Sequence, residues 1–424
     1  MFSANRVVAI DDERDYLDQL CRALHGIGVP CIPIHYPSDM PAEGTTWFSG
    51  VRILFCDLHL LQGVTKSSMN YAAVGQLLDR MASPSRSPLL LVLWTAYPKD
   101  ADELKKYLAE RHAGSQPVAV LPLDKSEFQG ALAGNLPQAI RDRLDVIPQL
   151  RALYEWEDEV AAAGNACVGA LMRLAAQEGV ELGRALDVLL SSLAQAATGK
   201  ELAAEDPGSA LQEVLVPMLA DQLSHLPDDK VRLARWKAAM PSAANKCKCT
   251  TTAARAAAIN TALSIVPASG DSLTARERGS VSEITAPSFF RHRFESNGAD
   301  VLKKFALKDA PAHRWMAIQV EAACDFANQK SSCLPYVLAV EVPAASQVLE
   351  KGRPAALWES PVFLSETGVE VRLVANVHFN MMSPPGKAKS VRAKYRLREP
   401  LVNELANFKS KYESRPGIVA LRPS

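Results

Sequence analysis

The chain has 424 residues, and its 47 Lys+Arg balance 47 Asp+Glu; 48% of residues are hydrophobic and 22% charged. This composition excludes a wholly disordered, collagen-like or coiled-coil protein. At about 150 residues per domain, the length predicts two or three domains. The longest apolar run, Leu89–Trp94 with its flanks, falls far short of the ~20 residues that span a bilayer. Asp11, Asp12 and Glu13 interrupt the N-terminal segment before a signal-peptide core forms, so a cytoplasmic protein with no membrane contact is expected.

The zero net charge conceals a split. From Lys246 onward there are 25 Lys+Arg against 16 Asp+Glu, a net of +9, leaving 22 against 31, a net of −9, in the first 245 residues. Two halves of opposite sign predict different partners or mutual attraction. The eight cysteines are scattered, several in apolar runs such as Ile53–Cys56, which predicts reduced thiols rather than a disulfide framework. Cys247 and Cys249 form the only close pair. A zinc site using Cys324 or Cys333 and a histidine is the alternative to idle thiols.

In chain order, Arg6–Ile10 is a short apolar strand ending in Asp11-Asp12-Glu13, and a helix follows with Tyr16, Leu17, Leu20 and Leu24 at helical spacing. Cys31–Ile34 is a second strand, Tyr36–Gly50 a polar loop, and Val51–Cys56 a third strand ending at Asp57. A helix over Tyr71–Met81 and a breaker over Ser83–Pro88 precede the strand Leu89–Trp94, which ends at Thr95. A charged helix over Lys99–Arg111 leads to the strand Val118–Leu121 and then to Asp124-Lys125.

Unalternated strands separated by helices predict a parallel sheet covered on both faces, with a ligand site beyond the strands' carboxyl ends. Asp11, Asp12, Asp57, Thr95 and Lys125 would converge there. Clustered carboxylates call for a cation, and hard oxygen ligands suit Mg2+. A lysine and a hydroxyl can hold phosphoryl oxygens, so the set fits phosphoryl transfer onto a carboxylate.

The segments Val7–Glu13, Ile53–Leu58, Leu91–Ala96 and Leu121–Lys125 make residues 5–130 resemble the receiver domain of two-component response regulators. The resemblance implies a flavodoxin-like five-stranded parallel sheet with Asp57 as phosphoacceptor. It also implies that Asp11, Asp12, Asp57 and the backbone carbonyl of His59 bind Mg2+. Thr95 would contact the phosphoryl group, Lys125 would pair with it, and a histidine kinase would be the donor. The chain departs from the family pattern in three ways. Ser126 replaces the proline that usually follows the lysine, Pro117–Leu123 holds no aromatic switch residue, and both spacings around Thr95 are long. His35, His59 and His112 are expected on the surface or in packing.

From about 133 to 245 the periodicity is helical, over Ala139–Leu144, Gln149–Ala163, Ala166–Glu178, Leu182–Ala197 and Leu211–Leu226, with breaks at Gly179, Gly199, Pro207-Gly208 and Pro227. Leu153–Val160 combines an apolar stripe with an acidic face. It is either a solvated helix or a docking surface for a homodimer or a kinase.

From 246 to 424 an Ala-rich helix over Ala253–Leu263 and a connector through Gly279 precede strands over Trp315–Val320, Tyr336–Val342, Pro361–Leu364, Val369–His378 and Ser390–Leu397. These predict a small barrel or bent sheet, followed by a helix over Leu401–Tyr412 and a last strand over Ile418–Leu421. Lys387 and Lys389 precede Arg392, Lys394, Arg396 and Arg398, which alternate with apolar residues and so place cations on one strand face. That face is a charged edge strand, a surface for nucleic acid or another polyanion, or a contact for the acidic half. Cys324 and Asp325, with His313 or His378, could also form a nucleophile and base at a strand end.

The expected organisation is a receiver-like domain (1–132), a helical linker or dimerisation region (133–245) and a basic β-rich output domain (246–424), α/β followed by α+β. The expected function is response-regulator signalling through Asp57, with no enzymatic activity beyond receiver-type phosphotransfer and autodephosphorylation. The alternatives are a pseudo-receiver adaptor working by protein contacts and a nucleic-acid-directed effector in stress or phage defence.

Overall fold

A computed structural model describes residues 7–40, 50–61, 63, 67–81, 89–176, 181–227, 229–248, 250–268, 273–308, 312–328, 331–349 and 353–414, with the backbone alone at 130–132, 323, 324 and 328. The described residues form two compact units. One comprises Met1–Ala161 with Pro227–Cys247, and the other Ala162–Leu226 with Lys248–Ser424.

The first unit is built on β1 (Val7–Asp11), α1 (Arg14–Gly26), β2 (Ile32–His35), β3 (Ile53–Cys56), α2 (Ser67–Met81), β4 (Leu90–Thr95), α3 (Ala101–Arg111), β5 (Ala119–Asp124) and α4 (Leu136–Leu144). The strands make one parallel sheet in the order β2-β1-β3-β4-β5. Successive side chains of a strand point to opposite faces, which is why these strands read as unbroken apolar runs. Val8, Ile10, Leu54, Leu91 and Leu93 pack in a core with Val74 and Leu78 of α2 and Leu104 of α3. Val7, Ala9, Phe55, Val92 and Trp94 pack in the other with Leu17 and Leu24 of α1 and Ile140 of α4.

The helical stretch comprises α5 (Pro148–Ala176), α6 (Leu182–Thr198), α7 (Lys200–Glu205), α8 (Pro207–Ser224), α9 (Lys230–Ala239) and α10 (Pro241–Ala244). The two helices expected over Gln149–Ala163 and Ala166–Glu178 are one continuous 29-residue helix, α5. A helical glycine such as Gly164 costs only about 1 kcal/mol relative to alanine, too little to break a run of good helix formers. Arg52 at the entrance to β3 clamps α5, donating to Glu157 Oε2 at 2.8 Å and Oε1 at 2.9 Å. Glu155 and Glu159 of the acidic face also pair with Arg235 of α9, so part of that face is satisfied within the chain. In the second unit, Glu181 caps α6 by accepting from the Gly183 and Arg184 N–H groups, and Asp206 caps α8 through Ser209 N–H. Ala194, Ala203 and Ala210 form the small core of α6–α8.

The second unit also holds α11 (Ala253–Ser264), β6 (Ile265–Pro267), β7 (Ser280–Glu283), α12 (Phe289–Phe294), α13 (Gly298–Lys303), β8 (Arg314–Gln319), α14 (Ala323–Asn328), β9 (Leu334–Pro343), β10 (Leu357–Glu359), β11 (Phe363–Leu364), β12 (Glu370–Ser383), α15 (Pro385–Lys389), β13 (Tyr395–Leu397) and α16 (Glu399–Glu413). Its strands form an 8-stranded antiparallel sheet, ordered β10-β12-β9-β8-β7-β13-β6 with β11 also on β12. The sheet curls into a half-barrel. One core joins Val281, Ile318, Val337 and Leu373 to Leu401, Val402 and Leu405 of α16; the other joins Leu338, Val340 and Val374 to Phe290, Val301 and Phe305. Gly279, before β7, has φ +78°, and a Cβ there would stand 2.5 Å from Val402 Cγ2 and 2.7 Å from the Leu397 carbonyl oxygen. Only glycine fits that approach.

Three expectations are corrected. The strand expected over Ser390–Leu397 is confined to Tyr395–Leu397, because the chain turns at Ser390 on leaving α15 and pairs before Tyr395 only through an isolated bridge between Thr274 and Arg392. It is not an edge strand, since β6 and β7 flank it on both sides. The connector before Gly279 includes β6, whose three residues are too few to show a period. The Ile418–Leu421 strand, the Ser83–Pro88 breaker and Cys249 lie outside the described residues. Among the described residues, no helix is long and apolar enough to cross a membrane.

Candidate metal and phosphoryl site

In the order β2-β1-β3-β4-β5, β1 and β3 are neighbours while their connections run in opposite directions. The crevice beyond their carboxyl ends is where such sheets bind ligands. Asp11 ends β1, and Asp57 follows β3 with its N–H donating to the Ile10 carbonyl at 3.0 Å. Thr95 ends β4, fully buried, and its hydroxyl accepts from the Tyr97 N–H at 3.2 Å. At the end of β5 the Asp124 side chain accepts from the Ser126 N–H at 2.9 Å, starting the 3-10 turn Lys125–Phe128 that carries Lys125.

The structure brings Asp11, Asp12, Asp57 and Lys125 together. One carboxylate oxygen each from Asp11, Asp12 and Asp57 lie within 4.8 Å of one another, and this is the only such group of three potential ligands among the described residues. Lys125 Nζ stands 2.9 Å from Asp57 Oδ2 and 3.5 Å from Asp11 Oδ2, and 4.5 Å from the centroid of the Tyr16 ring. All four charged residues are buried, with Asp11 at 0% and Asp57 at 3% exposure. Burial lifts the Asp11 carboxyl to about 7, against the pull of Lys125 and the Glu13 N–H, while Asp57 and Asp12 push the same way as burial. Burial pulls the Lys125 ammonium down, but Asp57 and Asp11 together outweigh it and hold its pKa above the ordinary value.

One ammonium cannot offset three carboxylates. Asp11 Oδ2 and Asp57 Oδ1 are buried with no hydrogen-bond partner among the described residues, a costly state for ionised oxygens. Hard oxygens in this number and spacing fit a divalent cation such as Mg2+. A metal would be held by Asp11, Asp12 and Asp57.

The histidine side chains of this unit make packing, hydrogen-bond and ion-pair contacts. The His59 ring lies 4.4 Å from that of Tyr97, with its Nδ1 buried and without a hydrogen-bond partner. His35 contacts the Asp12 carbonyl at 3.0 Å, and His112 pairs with Asp79 at 2.8 Å. Tyr16 and Tyr97 are site neighbours that sequence reasoning did not single out. Tyr16 follows the acidic triplet by three residues and Tyr97 follows Thr95 by two, and that spacing was the available signal. In the second unit Ala393, Tyr395 and Leu397 are buried, while Arg392 and Arg398 are exposed and Lys394 and Arg396 half-buried, so the predicted alternation is present from Arg392 to Arg398 but not at Val391, an apolar residue that is exposed. Lys394 pairs with Glu283 at 3.4 Å and Arg398 donates to the Ala262 carbonyl at 3.1 Å, whereas Lys387 and Lys389 are exposed on α15. His313 packs on Trp315 and His378 on Phe379. Asp325 is exposed, and the Cys324 side chain lies outside the described residues. Cys247 is exposed and Cys333 half-buried.

Compared with family models, curated proteins and solved structures, the chain matches none.

Proposed function

We propose that the first unit is a receiver-like phosphoacceptor module, in which Asp57 takes a phosphoryl group from a histidine kinase and the change acts on a non-standard C-terminal output region. The observation that carries this reading is the pairing of Lys125 with Asp57 Oδ2 while Asp57 Oδ1 is left without a partner beside Asp11 and Asp12. One oxygen is oriented and the other is available as a nucleophile. In the transfer, the P–N bond of a phosphohistidine breaks as a bond forms from phosphorus to an Asp57 oxygen, and the imidazole leaves with the bonding electron pair. A bound Mg2+ would supply charge neutralisation for the phosphoryl oxygens. Lys125 holds the carboxylate in position and offers its ammonium to the transferred group, and buried Thr95 presents a hydroxyl at the same sheet edge. Asp11, Asp12, Asp57 and the His59 carbonyl are the proposed metal ligands.

A phosphoaspartate adds charge and strong acceptor oxygens that reorganise adjacent loops. In this chain the aromatic nearest that role is Tyr97, on the loop after Thr95, rather than a residue of β5. The test is intact-mass analysis after incubation with acetyl phosphate and Mg2+. Gain of one phosphoryl group by wild type and none by Asp57→Ala supports the reading; identical behaviour defeats it. A pseudo-receiver adaptor is the second reading, favoured by Ser126 after Lys125 and by the lack of an aromatic on β5. For the output region we propose contact with a polyanion through Lys387, Lys389, Arg392, Lys394, Arg396 and Arg398.

A further inference from the structure

The second unit encloses a cavity of about 260 Å³ lined by elements of α6–α8, the segment before β7, and α14. Among the described residues, five acidic residues line it, Glu205, Asp206, Glu213, Glu277 and Glu321, against one basic residue, Arg276. Asp206 is already engaged as the cap of α8. Glu321 is different: it is only 2% exposed, and its two oxygens are unequal. Oε2 accepts from Gln319 Nε2 at 3.1 Å, and the Glu321 N–H donates back to Gln319 Oε1 at 3.2 Å. Buried Arg278 fixes the backbone from behind, donating to the Glu321 carbonyl at 2.7 Å and to Asn403 at 2.8 Å. Oε1 has no partner.

A carboxylate oxygen that is buried, rigidly placed and unpartnered carries the full cost of its desolvation, and a cationic donor in the cavity removes that cost. The wall also says which kind of cation fits. Among the described residues only Asp11, Asp12 and Asp57 gather three carboxylates tightly enough for a metal ion, so the acids of this cavity are spread too widely to coordinate a single point charge together. Leu202, Phe326 and Leu334 add apolar wall to the same cavity. Anions too far apart for one metal ion, sharing a cavity with apolar surface, match ammonium groups separated by methylenes. The volume lies just below the ~300–1,000 Å³ of pockets for drug-sized ligands. We propose that this cavity binds a short aliphatic polyamine, with one ammonium on Glu321 Oε1 and another toward Glu213 and Glu205 at the mouth.

The experiment is calorimetric titration of the full chain with spermidine at fixed ionic strength. Wild type should give saturable heat with one site, Glu321→Gln should bind about tenfold more weakly, and Asp57→Asn should bind as wild type does. Glu213→Gln changes an exposed residue at the mouth and should weaken binding by about threefold; it keeps the test decisive if the buried variant fails to fold. Absence of saturable heat, wild-type affinity in a folded Glu321→Gln, wild-type affinity in Glu213→Gln, or loss of binding in Asp57→Asn would overturn the proposal.

Discussion

The Lys125 ammonium lies 2.9 Å from Asp57 Oδ2, and both side chains are almost fully buried. The pair joins a residue just past β3 to one just past β5, across β4, and Asp11 stands 3.5 Å from the same nitrogen. Among the described residues, three carboxylates thus share one positive charge.

Removing that charge should cost more than removing one carboxylate. Lys125→Met is expected to destabilise the first unit by about 3–5 kcal/mol, as expected when one partner of a buried pair is lost. Asp57→Asn should cost less, because Lys125 retains Asp11 and the crowding of carboxylates falls. Mg2+ should raise the melting temperature of wild type, and raise that of Lys125→Met by more. Thermal melts with and without Mg2+ check both orders.

Trp94 gives an optical readout of the same site. It is fully buried, stacks on Phe128 with ring centroids 6.0 Å apart, and immediately precedes Thr95. The chain has 6 tryptophans, so the signal is the difference between wild type and Trp94→Phe. Mg2+ titration should change emission in wild type and leave Trp94→Phe largely flat; Asp12→Ala should shift the wild-type curve to higher Mg2+.

How much of this was legible from residue order alone varies by region. β1, β3 and β4 are legible because each is buried along nearly its whole length and runs into a charged or hydroxyl residue, whereas the edge strands β2 and β5 are only partly buried and show mainly by their apolar residues and their place between helices. The site followed from those ends, Asp11, Asp57, Thr95 and Lys125. The second unit was harder. Its short strands β6, β10 and β13 have three residues each, less than two periods of alternation. The two segments expected within α5 are separated only by Gly164 and Asn165, residues of low helix propensity that the long helix nevertheless accommodates. Glu321 gave no local signal: its importance comes from Gln319, Arg278 and a cavity wall that only the fold assembles.

Gly279 offers a packing test. Gly279→Ala places a methyl group against Val402 and the Leu397 carbonyl at a positive φ, so a loss of about 2–4 kcal/mol is expected from clash and strain together. Gly368 has φ +77° with nothing within 4 Å of an added Cβ, so Gly368→Ala should lose only about 1 kcal/mol. Urea denaturation of the two variants side by side separates clash from backbone strain.

Tyr395 predicts an alkaline limit for the second unit. Its hydroxyl donates to Glu341 Oε2 at 2.8 Å. Burial, and then the Glu341 carboxylate, hold its pKa well above the ordinary value of 10.0. A group with a raised folded pKa stabilises fully below its unfolded pKa and loses that contribution as pH rises through the folded one. Wild type should therefore lose stability steeply above about pH 10. Tyr395→Phe should be weaker by about 1–3 kcal/mol near neutrality, because Glu341 loses a donor, and should depend less on pH there. Urea midpoints between about pH 8 and about pH 11 measure both slopes.

The central claim is that Asp57 accepts a phosphoryl group, and locating the acyl phosphate tests it most directly. The chain is incubated with acetyl phosphate and Mg2+, reduced with borohydride, which acts on the acyl phosphate, and mapped by peptide mass. A Mg2+-dependent modification at position 57 is expected, lost in Asp57→Ala and reduced in Lys125→Met. Modification at another residue, or none at position 57 under conditions where the wild-type fold is intact, would contradict it.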